Sequence, residues 1–341
     1  MLSEKRLTSL AIIMSLVFLM ALSVFPDSSH YSGRVSAESN PVLTQAPVDV
    51  SALEEDTMYV GIYLIDIYDF EYKTGSYTYD FYIYFSWINP DITQADWLLM
   101  NGYPVDPSYR TLVRENTTGV LKTQVYRVRA FLDSNPDPTN YPFDTMQTPI
   151  SVELLPSRSN SMSFSWFSNE TGINPDFTNQ GWEAPYFELQ TSITDYPFGN
   201  SAPRADMIIQ QDRNLYGALT KTILPPLIFC LVAGACFLFK MYDESAFGLR
   251  VGIATSMLIT AILFNISEQN DLPPVSSITI YGALTLAVTT FLAIVTVVTV
   301  LGYVDWMRRQ DKNHVERINK IGFIVSLAVP VLIFVALFLI K

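Results

Sequence analysis

The chain is poor in the residues that most protein chemistry needs. Two cysteines and two histidines serve all 341 residues. Cys230 and Cys236 lie in one apolar run, so there is no disulfide framework to staple a small domain, and the pair says nothing about redox compartment. His30 and His314 stand far apart in contrasting surroundings, which argues against zinc sites and against His-based acid–base catalysis. Charge is scarce too. Asp, Glu, Lys and Arg make up 16% of the chain, where a soluble globular chain carries about 25%. The basic residues are the scarcer kind, 21 against 33 acidic, for a net charge of −12. Phosphate neutralisation needs Lys and Arg, so nucleic acid is excluded as a partner. No hydrolytic or redox constellation stands out, and the sequence reads neither as an enzyme nor as a cofactor carrier. Aromatics at 13% exclude a disordered chain.

What the chain has is hydrophobic residues, 49% of the total, gathered into runs. Lys5 and Arg6 precede an apolar run from Leu10 to Phe25, too short for a comfortable span. It matches a secretory signal segment within a leader of residues 1–37, either cleaved or kept as an anchor. Residues 38–217 are soluble in character, rich in Tyr, Phe, Thr, Ile and Val, and broken by Pro and Asn every 8–15 residues. Tyr77–Trp87 and Gln124–Ala130 alternate polar and apolar side chains. The pattern predicts an immunoglobulin-like antiparallel β-sandwich. This stretch holds 24 Asp plus Glu against 9 Lys plus Arg, which is either a solvated acidic surface or a funnel for cations.

Residues 218–341 carry four apolar segments, 219–239, 246–266, 278–303 and 321–340. Each is long enough to cross the roughly 30 Å hydrocarbon core as a helix. Arg308, Arg309, Lys312, Arg317 and Lys320 crowd the connection after the third segment, whereas residues 267–277 have no Lys or Arg. The positive-inside rule puts the first connection in the cytoplasm and the second outside. The β domain is then extracellular or periplasmic on a multi-pass cell-membrane protein. Within the second segment Gly252, Ser256, Ile259, Leu263, Ile266 and Asn270 recur at spacings of four and three, one seam of a helix in a supercoiled bundle. Such a seam either lines a pore or packs helices closely through its small residues. Ile262 lies off it.

Several landmarks in order resemble the pentameric ligand-gated ion channels, the Cys-loop receptor superfamily, in its prokaryotic form. They are Gly61–Tyr68 with Ser86-Trp87, Tyr141-Pro-Phe-Asp144 with Gln147, Gly181-Trp182-Glu183, Arg213 ahead of Pro225, Phe264-Asn265, and Leu272-Pro273. The signature loop at 141–144 lacks flanking cysteines, as in prokaryotic members. The resemblance implies a homopentamer in membrane lipid that passes inorganic ions and answers to protons or an unknown small-molecule agonist. Its second helices would line the pore, with an apolar gate at Ile259 and Leu263. Asp144 and Arg213 would couple the outer domain to the membrane domain, with Glu71 as an uncertain third member and Pro273 in the turn after the pore helix. Pro225 and Pro226 would give the first span a flexible joint.

Carrying over the agonist box gives Tyr82, Trp166, Tyr196 and Phe198, with Arg127 and Arg129 from the facing subunit. The alternative is that these side chains are simply packing. Only 53 residues separate Trp87 from Tyr141, which is short for the family. That shortening motivates a competing reading, a non-conducting membrane sensor or adhesion protein on the same scaffold. Ion selectivity stays open. Glu268 and Asp271 near the outer mouth favour cations, while Gly248 and Leu249 replace the usual acid, and Arg250-Val-Gly252 resembles anion-selective members.

Overall fold

The computed structural model describes residues 53–155, 162–197, 201–274 and 278–340. The leader and Phe198 lie outside the described residues. Two compact units emerge. Residues 53–136 and 145–212 form one, and residues 137–144 join 213–340 in the other.

Among the described residues the first unit has eleven strands, β1 (Thr57–Glu71), β2 (Ser76–Trp87), β3 (Trp97–Leu99), β4 (Gly102–Pro104), β5 (Arg110–Thr118), β6 (Leu121–Asp133), β7 (Thr145–Leu154), β8 (Ser163–Trp166), β9 (Gly172–Ile173), β10 (Tyr186–Asp195) and β11 (Ser201–Asp212). In β2 the period of two is complete. Tyr77, Tyr79, Phe81, Ile83, Phe85 and Trp87 all turn inward and are buried, while Asp80, Tyr82 and Tyr84 alternate with them on the other face. β1 follows the same rule through Val60, Ile62 and Leu64. A register shift between Leu64 and Asp66 then lets Ile67, opposite Tyr79, return to the core. Gly75, at φ +69°, closes the β1–β2 turn, where a Cβ would strike the Ser134 carbonyl.

One sheet runs β4-β6-β2-β1-β8, with β5 on β6 and β9 on β1; the other runs β10-β11-β7-β3. Met146, Ile150, Val152, Ala205, Met207 and Ile209 of the second sheet share one core with β1, β2 and β6. The second sheet is antiparallel throughout. The first is mixed, because β1 takes β8 and β9 as parallel partners. This departs from the antiparallel expectation, for alternation records which face a residue takes and not the direction of the neighbouring strand.

The second unit is helical: α1 (Leu215–Leu238), α2 (Glu244–Asn270), α3 (Ile280–Arg309) and α4 (Lys312–Ile340). After a first α-helical turn, Leu215–Gly217, α1 passes through a π-helical stretch, Ala218–Ile223, and Pro225 and Pro226 fall in the first turn of the α-helix that follows it. Proline has no N–H to donate, so the wider turn sits where the ladder would otherwise break. Asp243 caps α2 by accepting from Ser245 N, and Thr279 caps α3 by accepting from Gly282 N. Gln310 ends α3 in the left-handed region, and Asp311 at once accepts from Asn313 N to start α4.

Among the described residues, α1, α2 and α3 are long and apolar enough to cross a membrane. α4 carries the apolar residues 321–340. With the basic residues concentrated at the α3–α4 connection, this is a multi-pass membrane protein whose N-terminal β unit is extracytoplasmic.

Candidate functional site

Residues 137–144 leave β6, enter β7, and pack with the helices. Asp137 caps a single turn, Pro138–Asn140. Phe143 then reaches the helical core, and Asp144 is buried. Arg213 meets Asp144 three times. Its backbone N–H donates to the Asp144 carbonyl at 3.1 Å, Nε to Oδ1 at 2.7 Å, and Nη2 to Oδ2 at 3.1 Å. This is the paired-fork arrangement in which guanidinium and carboxylate match best. The guanidinium also lies 4.9 Å from the Tyr141 ring centroid.

Tyr141 ties the same loop to α2 and α3. Its hydroxyl donates to Glu268 Oε2 at 2.7 Å, on the outer end of α2. The Thr222 hydroxyl, 3.2 Å away, is then the donor to the same phenol oxygen. Burial, with smaller contributions from Glu268, pushes the Tyr141 phenol well above its ordinary pKa, so it remains a donor. The Tyr281 backbone N–H donates to the Tyr141 carbonyl at 3.1 Å, and the two rings meet edge to face at 5.7 Å. Pro273 is buried in the turn after α2. Glu71, at the exposed end of β1, accepts from Thr74.

α2 presents two faces. Arg250, Ala254 and Ala261 are buried against neighbouring helices. Gly252, Ser256, Ile259, Leu263, Ile266 and Asn270 are all exposed, Ile259 by 58% and Leu263 by 62%. Ile262, expected off the seam, is exposed by 44% as well, so the uncovered face is broader than the seam. Arg250 does not share that face. It is 0% exposed and donates to the Phe239 carbonyl, Asn319 Oδ1 and, at 3.4 Å, Thr299 Oγ1. One guanidinium therefore ties α2 to the end of α1, to α3 and to α4.

The residues expected to bind agonist separate into groups. Arg127 and Arg129 on β6 both pair with Asp80 of β2, a side chain only 1% exposed. Arg127 grips it with two nitrogens at 3.1 and 2.9 Å, and Arg129 at 3.2 Å. Hydrogen bonding to Asp80 raises the pKa of both arginines. Tyr82 faces Arg127 across the ladder, with the guanidinium 5.9 Å from its ring. Asp80, Arg127 and Arg129 line a cleft of about 430 Å³ with Ser108, Tyr109 and Thr111. Trp166 instead ends β8 and donates to the Gln190 carbonyl of β10. Tyr196 donates to Glu153 of β7, and Arg204 approaches the same carboxylate at 3.7 Å. That bond to Glu153 raises the Tyr196 pKa.

Sequence reasoning missed Asp80, the shared acid, although its place between Thr78 and Tyr82 on the outward face of an alternating strand marked it as outward-facing. It also missed Glu153, Tyr281 and the burial of Arg250, for which spacing within one helix carries no signal. Comparison with family models finds no match, and neither does a search of curated proteins.

Proposed function

We propose that the chain is one subunit of a homopentameric ion channel, gated by protons or a small-molecule agonist, as its resemblance to the pentameric ligand-gated channels implies. The observation that carries this reading is the uncovered face of α2. A membrane-length helix runs small and hydroxyl side chains, then branched aliphatics, along one seam that the chain's own helices leave bare. Five such seams around an axis form a pore, and a head-to-tail interface of this kind closes into a ring. α4 supplies the fourth span, and the β unit is the immunoglobulin-like ligand-binding domain. Ile259 and Leu263 form successive apolar rings that shed water and stop ions without any charge. The Tyr82–Arg127–Arg129 group is bonded apart from Trp166 and Tyr196, as a site completed by a neighbouring subunit needs. Asp144 and Arg213 hold the chain where β7 begins and β11 ends, so a rearrangement of the β unit reaches the helices through them.

The test is the mass of the solubilised particle together with its currents in planar bilayers. Five chain masses and unitary currents are expected. Ile259→Ser should wet the gate and raise resting current, whereas Ala261→Ser, on the buried face, should not. A monodisperse particle of other stoichiometry overturns the pentamer. Pentamers without current favour the sensor or adhesion reading.

A further inference from the structure

Tyr281 on α3 is 1% exposed, and its hydroxyl is a buried donor with no hydrogen-bond partner among the described residues. A buried hydroxyl without a partner costs free energy and calls for an explanation. Its ring meets that of Tyr141 at 5.7 Å and 87°. Tyr141 in turn donates to Glu268. One tyrosine thus engages the carboxylate, while the second, packed against the ring of the first, has no acceptor among the described residues. Around them stand Thr222, bonded to Tyr141, and the Asp144–Arg213 pair, whose guanidinium lies on the other contact of the Tyr141 ring.

We infer that Glu268 is a positioning residue that moves the outer end of α2 by exchanging donors, accepting from Tyr141 in the state seen here and from Tyr281 in a second state. The inference rests on the channel reading for its purpose, since α2 is there the pore helix, but not for its chemistry. A carboxylate with two oxygens loses little by changing one phenol donor for another, so the two states can lie close in free energy. A displacement of residues 137–144 carries Tyr141 away from Glu268, and Tyr281, fixed on α3, then takes up the carboxylate. The same geometry gives Glu268 a different task from that of a charge at the pore mouth, because its carboxylate is directed to the loop.

The experiment uses full-length protein in mild detergent and follows hydrogen–deuterium exchange in residues 137–144 and the outer turns of α2. Tyr141→Phe removes the donor of the present state and should speed exchange in both segments by about tenfold or more, the scale of a hydrogen bond to a charged group. Tyr281→Phe removes the donor of the alternative state and should slow exchange or leave it unchanged. In a Glu268→Ala background, Tyr281→Phe should have no further effect, and Tyr141→Phe only the smaller one of losing the bond from Thr222. Opposite signs from the two tyrosines distinguish donor exchange from loss of packing, which would loosen both. Equal loosening, or a Tyr281→Phe effect that survives in Glu268→Ala, overturns the inference. Where Tyr141→Phe does not yield monodisperse protein, Glu268→Gln against Glu268→Gln with Tyr281→Phe makes the same comparison, and additivity there overturns it. Absence of current in the wild type would count against the channel reading and leave this test standing. In conducting protein, Tyr141→Phe and Tyr281→Phe should shift resting open probability in opposite directions with unitary conductance unchanged, and a conductance change in Glu268→Gln would return that residue to the pore mouth.

Discussion

Removing Arg213 should cost more than neutralising Asp144, and the reason lies in their unequal burial. The Asp144 side chain is 0% exposed and that of Arg213 is 20% exposed. Arg213→Gln leaves a carboxylate deep in the junction without its guanidinium, a loss that reaches roughly 3–5 kcal/mol for a buried pair broken from one side. Asp144→Asn keeps the shape and leaves a guanidinium that still reaches water and the Tyr141 ring. Its cost should be nearer the roughly 1.5–3 kcal/mol of a hydrogen bond to a charged group. An exposed pair would give only about 0–1 kcal/mol either way. The assay is denaturation of the full chain by SDS titration from mild detergent, for both single variants and the double. The double variant should cost less than the sum, with an interaction energy in the upper part of the roughly 0.5–3 kcal/mol seen for contacting residues. Additivity within about 0.3–0.5 kcal/mol would show that the forked contact contributes nothing. A larger loss from Asp144→Asn than from Arg213→Gln would refute the burial argument.

Gly322 faces Val298, whose γ carbons a new Cβ would overlap, and Val cannot swing aside as Met can. Gly322→Ala should therefore destabilise the α3–α4 pair by about 1–3 kcal/mol, measured in the same titration, and by more than Gly302→Ala, which meets the flexible Met241. Arg250→Gln should lower stability, because the guanidinium joins four helical elements, and leave the reversal potential in asymmetric salt unchanged. A shifted reversal potential would place Arg250 in the ion path.

Much of the architecture was legible in the residues themselves. The alternation in Tyr77–Trp87 is a local property, since successive side chains of a strand must point to opposite faces, and every inward residue it named is buried. The apolar segments and the basic connection after the third were equally readable, because length against bilayer thickness and charge against the cytoplasmic face are composition arguments. The α2 seam was readable for the same reason, as periodicity along one helix defines a face. Which face is covered was not readable. Arg250 lies two residues before Gly252 and carries a full charge, and nothing in the local sequence says that Phe239, Thr299 and Asn319 enclose it. Ile262 kept more exposure than its place off the seam implied, because along α2 the neighbouring helices bury only Arg250, Ala254 and Ala261.

The sequence alone marked the alternating strands at Tyr77–Trp87 and Gln124–Ala130, three membrane-length apolar helices and the orientation of the chain, since these follow from spacing, length and charge within short windows. Only the tertiary structure decided partners. Parallel β8 and β9 on β1, Asp80 between two arginines, and Tyr141 between Glu268 and Tyr281 each join residues 47 to more than 100 positions apart. Such pairings are selected by how faces and donors meet after folding, and no periodicity along the chain records that choice.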